Sequence, residues 1–586
     1  MERLFGIDFE LSGYEEGTEA HLSSESPKNG VYYVGVTLRR KDKKVPRKIS
    51  LRFKFPCVKA FSIWNPSCRF SRFLGPNWSP SRLESEAMRS APIHSLITKG
   101  GRNCLTITVS DVINPTAIST GYCEEDGMVD CTVEFFTRSI VSIESYKAVV
   151  RLDSRNIPFY QSITDARNWW TKTGRYQNAP VPENARLPVY STWYSFHQDV
   201  NVDKIVEQCR LASQLGCKTV IVDDGWQTSN SARGYAYCGD WEVCPSKVPN
   251  MKDFVKRIHN LGMKFVLWYS VPFVGKHSKA WDRFEGKFLE EQKDIRILDP
   301  RFPEVRNYLA ETYEKAMKEW DLDGFKLDFI DSFRLTSQSF SSPGDGRDFE
   351  SLDEAVCELL REIITKIRAI KPDTLIEFRQ GYIGPAMQSF GNMLRVGDCP
   401  GDALSNRTGS LDLRLTSGTT AVHSDMLTWN PDDSAEDAAM QLIAVLFCVP
   451  QISVLIDKLP KAQYDMLRFY LKFWKENRDV LLDGKLKLED PEAEYGIVSA
   501  QKGEKLIAVA YNCPVLKLES ASARTINLVN GTGKNELYVS SIKSLGTKEY
   551  TVMDCMGNII KTGIVDVSRG IHVFNVPVSG ILRIVG

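Results

Sequence analysis

Between Val189 and Asp457 the chain alternates β-like runs with amphipathic helical ones, and this order constrains the fold more than any other feature. Eight runs read as strands: Val189–Phe196, Thr219–Trp226, Lys264–Ser270, Gly324–Ile330, Thr374–Gln380, Met393–Asp398, Ala421–Leu427 and Pro450–Asp457. Helical periodicity fills the gaps, as in Val202–Leu215 and Glu304–Trp320, although the connection between the fifth and sixth runs is short. Eight β/α units are what a (β/α)8 TIM barrel needs, and such a barrel takes about 250–300 residues. A doubly wound open sheet is the competing arrangement, but no glycine-rich phosphate loop follows any of the runs.

At 586 residues the chain exceeds one ordinary core, so domains are expected on either side of the barrel. Up to about residue 160 it shows short alternating β-branched segments, such as 30–38, 104–109 and 148–152, the pattern of an antiparallel β-sandwich. Asn178 to Pro188, with three prolines, reads as a linker. After a last helix near Ala462–Glu476, short strands return from about residue 485, including Lys505–Tyr511 and Leu537–Val539. The expected fold is multidomain α/β: an N-terminal β-sandwich over 1–175, a barrel over 185–478 and a small C-terminal β-sandwich over 485–586.

Lys plus Arg and Asp plus Glu number 74 each, so the net charge is near zero and no nucleic-acid partner is implied. The 14 cysteines form no disulfide framework or zinc spacing, and only Cys238 and Cys244 are close enough to raise the question of a pair. The first residues lack a basic start followed by a long apolar region. No run approaches the roughly 18 apolar residues of a membrane span, so the expectation is a soluble, cytoplasmic protein.

Nearly every barrel run starts apolar and ends with polar side chains, and in these barrels the C-terminal strand ends build the active site. Lys326 and Asp328 are two apart on one strand and so face the same side, where the ammonium would keep Asp328 ionised as a nucleophile. Asp398 ends another run and suits a general acid, provided partial desolvation lets it retain its proton. Asp402 is its rival on the same loop, and Asp331 is a weaker candidate for the nucleophile. Two such carboxylates are what glycosidic bond cleavage requires. Asp223 and Asp224, followed by Gly225 and Trp226, would accept hydrogen bonds from sugar hydroxyls while the indole packs on a ring. A metal site at that acidic pair, or at His423 with Asp425, would need further ligands that the spacing does not supply.

The ordered set Asp-Asp-Gly-Trp (223–226), Gly-Asp-Trp (239–241), Gly-Met-Lys-Phe-Val-Leu-Trp (262–268), Lys-Leu-Asp (326–328) and His-Ser-Asp-Met-Leu (423–427) resembles the α-galactosidases of glycoside hydrolase family 36, in the clan shared with family 27. The resemblance covers roughly residues 185–460. It implies Asp328 as nucleophile, Asp398 as acid/base, and Asp223 and Asp224 as ligands of O4 and O6 of galactose. It further implies Lys326, Asp240, Arg395 and Asp402 as substrate contacts, with Trp193, Trp226 and Trp268 as walls. Gln227 resembles the branch that includes raffinose synthases. Three segments depart from the family pattern: Tyr-Ser-Val-Pro-Phe (269–273) follows Leu-Trp, Phe-Arg-Gln-Gly-Tyr (378–382) stands in place of Cys-Ser-Gly-Gly-Gly, and Arg-Val-Gly-Asp-Cys-Pro-Gly-Asp (395–402) replaces the acid/base segment. The second places Arg379 near the sugar.

The resulting expectation is a retaining α-galactosidase acting on an oligosaccharide or glycoconjugate, with no cofactor, no metal and no membrane partner. Galactosyl transfer through the same two Asp, a related α-glycosidase that uses Arg379 to bind an acidic or modified sugar, and a catalytically inert sugar-binding protein are the alternatives. The resemblance leaves a homo-oligomer open.

Overall fold

The computed structural model describes residues 1–138, 141–173, 176–336, 345–513, 515–518 and 523–586. Eight parallel strands close into a barrel in chain order: β1 (Val189–Ser191), β2 (Thr219–Val222), β3 (Lys264–Ser270), β4 (Gly324–Asp328), β5 (Leu375–Arg379), β6 (Met393–Arg395), β7 (Ala421–Leu427) and β8 (Val449–Ile452). Closure comes from β1 pairing with β8, Val189 opposite Gln451 and Tyr190 opposite Ile452. Such strands are covered on both faces, which is why they read as continuous apolar runs.

Several strands are shorter than the runs that foretold them. The first run leaves the ladder after Ser191 and coils into a helical turn at Trp193–Phe196, the second ends at Val222, the sixth at Arg395 and the eighth at Ile452. Left-handed backbone ends the extended path twice: at Gly225 (φ +114°), where a Cβ would lie 2.6 Å from Gln198 backbone atoms, and at Phe329 (φ 63°) just after Asp328. The short fifth-to-sixth connection holds only a four-residue helix, Pro385–Gln388. A small antiparallel sheet unforeseen in the sequence (Phe273–Gly275, Phe288–Glu291, Ile295–Leu298) follows β3.

The barrel interior is sorted along its axis. At the N-terminal end Val189, Ile221, Val266, Leu375, Met393 and Ala421 make a closed apolar layer with Ala185. Gly324 starts β4 there, and a Cβ on it would sit 2.0 Å from the Leu375 carbonyl oxygen, so only glycine fits between the strands.

Two six-stranded antiparallel sheets precede the barrel, their facing sides filled by Phe9, Leu51, Phe53 and Val133 against Val34, Ile107, Val150 and Leu152. The boundary read at residue 175 lies outside the described residues. The helix Phe159–Lys172 shares the barrel core through Phe159, Ile163, Trp169 and Trp170. Ser90 of this region donates its amide to the Gly381 carbonyl at 2.7 Å, and Gly384 passes so close that a Cβ would be 2.5 Å from the Ser90 oxygen. Beyond the barrel a seven-stranded and a three-stranded sheet face each other across Leu528, Leu537, Val539, Phe574 and Ile584. Both carry one parallel pair, so this sandwich is mixed. No helix among the described residues is long and apolar enough to cross a membrane. The cysteines are free, and Cys238 and Cys244 are not joined.

One carboxylate ties the three regions together. Asp412, on the barrel helix Ala403–Thr416, accepts from Trp64 Nε1 at 2.8 Å and from Arg72 Nη2 at 2.9 Å, both N-terminal, and from the hydroxyl of Tyr495 in the C-terminal region. Arg72 is 5% exposed, and its guanidinium lies 4.7 Å from the Tyr495 ring centroid. Asp412→Ala would strand that buried cation, and a loss of about 3–5 kcal/mol is expected. Guanidinium unfolding measures it, and an unchanged midpoint would show that the three regions are held together by other contacts.

Candidate active site

The alternation along β4 brings Lys326 and Asp328 to the same side at the barrel mouth, both buried. Their charge partners differ from expectation. Lys326 Nζ pairs with Asp223 Oδ2 at 2.6 Å, and Asp328 is instead held by Arg379, whose Nε donates to Oδ1 at 2.6 Å. Asp328 Oδ1 also accepts from the Phe329 amide at 2.8 Å, while Oδ2 accepts from the Trp268 indole at 3.0 Å. Burial alone would push the Asp328 carboxyl up, but the charges on Arg379 and Lys326 and the indole hydrogen bond hold it well below the ordinary carboxylate range. It is therefore ionised at any physiological pH.

Asp223 and Asp224 lie just past the end of β2. The Asp223 amide donates to Thr192 Oγ1 at 3.0 Å, and the Asp224 amide to Asp223 Oδ1 at 2.9 Å. Asp224 makes no ion pair among the described residues: Gln198 and Gln227 donate to its two oxygens at 2.6 and 2.7 Å. Burial raises its carboxyl pKa from 3.8 to about 6, with the two glutamine hydrogen bonds opposing and the Asp223 charge adding to the rise. The pair is thus unequal: Asp223 is paired with Lys326, while Asp224 titrates near pH 6. Gln227 is accounted for by its bond to Asp224.

At the rim, Arg395 on β6 is 1% exposed and binds Asp425, Asp398 (Nη2 to Oδ1, 2.9 Å) and, more loosely, Glu377 (3.6 Å). Asp425 also accepts from Tyr194 Oη at 2.9 Å and the Cys399 amide at 2.7 Å. Asp398 is exposed, its side chain 59% accessible. Burial pushes its carboxyl up less than Arg395 and Lys326 pull it down, so it sits below the ordinary range. The sequence reading expected a desolvated acid that keeps its proton, but Arg395 holds Asp398 as an anion.

These groups surround one small pocket at the barrel mouth, a cavity of about 50 Å³. Its lining is Trp193, Asp223, Asp224, Tyr235, Trp268, Lys326, Asp328, Phe329, Arg379, Arg395 and Asp398. Nine of these eleven were read from sequence, and Tyr235 and Phe329 were missed. Tyr235 sits in an irregular loop with no periodicity to mark it, its ring 6.2 Å from Trp268 and 5.0 Å from Phe329. Glu377, fully buried below Arg395, was also missed, although its i, i+2 relation to Arg379 on β5 was the same signal that singled out Lys326 and Asp328.

Three expected contacts are elsewhere. Trp226 is 0% exposed, enclosed by Trp241, Tyr269 and Trp320, and its indole donates to the Trp268 carbonyl at 3.0 Å; it props a wall and is not itself one. Asp240 accepts the amides of Lys279 and Ala280 at 2.9 and 3.0 Å, and so caps a short helix. Asp402 caps Ala403–Thr416 through the Ser405 amide at 2.9 Å and does not line the pocket, whereas its rival Asp398 does. Asp331 lies behind Arg379, 3.6 Å from Nη2. His423 Nε2 bonds the Ala185 carbonyl at 2.7 Å, and Asp425 is taken by Arg395, so these two do not act as a ligand pair.

Residues 176–364 match the family described as Melibiase, which bears out the resemblance carried by the motifs at 223–226, 239–241, 262–268 and 326–328. α-Galactosidase AgaA of Geobacillus stearothermophilus is 24% identical over 352 residues, 56% of this chain and 46% of that protein. α-Galactosidase 2 of Pediococcus pentosaceus is 25% identical over 226 residues, 36% of this chain and 31% of that protein. These matches span less than half the length of either relative. In three dimensions, a variant of AgaA in complex with 1-deoxygalactonojirimycin superposes with TM-score 0.66 at 16% identity, over 97% of this chain and 81% of that one. The α-galactosidase of Lactobacillus brevis does so with TM-score 0.63 at 15% identity, over 100% and 86%. The three-part architecture around a closed barrel is therefore shared.

The unequal acidic pair generates a prediction. Between about pH 4 and 6 the folded chain keeps a proton on Asp224 that the unfolded chain has released, so this group's contribution to stability falls as pH rises, by roughly 3 kcal/mol in all. Asp224→Asn does not titrate, and relative to wild type it should gain up to that amount between about pH 4 and pH 7. Urea unfolding at the two pH values measures it, and a difference that stays constant with pH would mean that Asp224 titrates normally.

Proposed function

We propose that this chain is a retaining α-galactosidase that cleaves terminal α-galactosyl residues from oligosaccharides or glycoconjugates. The observation that carries the reading is the division of labour between two carboxylates: Asp328, buried and ionised at the base of the pocket, and Asp398, exposed at its rim. Asp328 attacks the anomeric carbon while Asp398 protonates the departing oxygen; water, deprotonated by Asp398, then opens the glycosyl-enzyme. Asp223, Asp224 and Lys326 face the pocket as acceptors and donor for ring hydroxyls, and Trp193 and Trp268 offer apolar faces. The similarity to an AgaA variant solved with raffinose, at TM-score 0.65, supports an oligosaccharide as substrate.

Hydrolysis of p-nitrophenyl α-galactoside with retained anomeric configuration is expected. Asp328→Ala and Asp398→Ala should each lose about 10³-fold or more in kcat. Azide should rescue the first as β-galactosyl azide and the second as α-galactosyl azide. An inverted product, or rescue with the two azides exchanged, would overturn the assignment.

Because Arg395 holds Asp398 below the ordinary carboxylate range, the protonated acid is populated only at acidic pH. kcat/KM should fall as pH rises from the acidic range through neutrality. A profile flat to about pH 8 would show that Asp398 keeps its proton against Arg395.

A further inference from the structure

The hydrogen bonds on Asp328 are divided unevenly between its two oxygens. Oδ1 accepts from Arg379 Nε at 2.6 Å, the Phe329 amide at 2.8 Å and the Tyr382 hydroxyl at 3.4 Å, whereas Oδ2 has the Trp268 indole at 3.0 Å. Arg379 is itself fixed: Nη1 donates to the Gln380 carbonyl at 3.0 Å, Nη2 lies 3.6 Å from Asp331, and the guanidinium stands 5.1 Å from the Phe329 ring centroid. A cation anchored on three sides and aimed at one carboxylate oxygen is a built arrangement.

We propose that Arg379 is a positioning residue that holds Oδ1 so that Oδ2 attacks, and that it speeds the second half of the reaction by making the Asp328 carboxylate a better leaving group. This rests on the double-displacement reading. In the first step an Oδ2 lone pair forms the bond to the anomeric carbon as the glycosidic bond breaks, its electron pair leaving with the aglycone oxygen, which takes the proton of Asp398. In the second step water oxygen bonds to that carbon and gives a proton to Asp398, and the carbon–Oδ2 bond breaks with its pair returned to Asp328. Carboxylate charge is lost in the first step and regained in the second. A charge-assisted donor on Oδ1 therefore retards the first and accelerates the second. Formation of the glycosyl-enzyme limits the rate, and the intermediate does not accumulate.

The test is rapid-mixing release of p-nitrophenol from p-nitrophenyl α-galactoside by wild type, Arg379→Met and Arg379→Lys, with product configuration read by proton NMR. Wild type should show no burst. Arg379→Met should show a burst of about one equivalent per site. Its kcat should fall roughly ten-fold and its KM further still, so that kcat/KM rises. Arg379→Lys, which restores a charge, should shrink the burst, and Arg379→Gln replaces the Met variant if that one is not recovered folded. A burst in wild type, or parallel loss of kcat and kcat/KM without a burst in the uncharged variant, would overturn the proposal while leaving double displacement intact. An inverted product, or a wild type inert toward this substrate, would overturn the functional reading and this proposal with it.

Discussion

Enclosing several carboxylates at one end of a barrel is the constraint to which the rest of this molecule answers. Each buried anion costs several kcal/mol unless a cation shares its enclosure. The chain meets this with three pairings: Lys326 with Asp223, Arg379 with Asp328, and Arg395 with Asp425 and Asp398. The cations come from three successive strands, β4, β5 and β6, so the neutralising charges are laid into the barrel wall. Asp224 makes no such pair among the described residues, and its pKa rises to about 6.

Most of the architecture was legible because the constraints that create it act along the chain. Continuous apolar runs spaced by helical periodicity are the direct trace of strands buried on both faces, and the eight runs became eight strands. Side-chain alternation correctly put Lys326 and Asp328 on one side. Alternation says which face a residue shares and nothing of its partner across the barrel, which depends on the stagger between strands. Hence the Lys326–Asp328 pair read from sequence became two pairs with Asp223 and Arg379.

The misplaced residues have a common origin. Trp226, Asp240 and Asp402 were read as sugar ligands because they stand beside functional motifs, but each does local work: supporting Trp268, capping the turn at Lys279–Ala280, and starting the helix at Ala403. Proximity in sequence does not separate a wall from its prop. Tyr235 is the converse, a pocket residue from a loop where no period exists to mark it.

The departure from the family pattern at β5 and the contact from Ser90 belong to one piece of structure. Arg379 ends β5, and the two residues past it bring the chain to Gly381, whose carbonyl is held by the Ser90 amide. Gly384 then presses against the same serine. A sandwich that contributes nothing to the pocket lining thus braces the segment that carries the cation paired with Asp328. The unit that sets the charge on Asp328 is accordingly larger than the barrel, and divergence in the outer domain can retune that charge without altering any residue that lines the pocket.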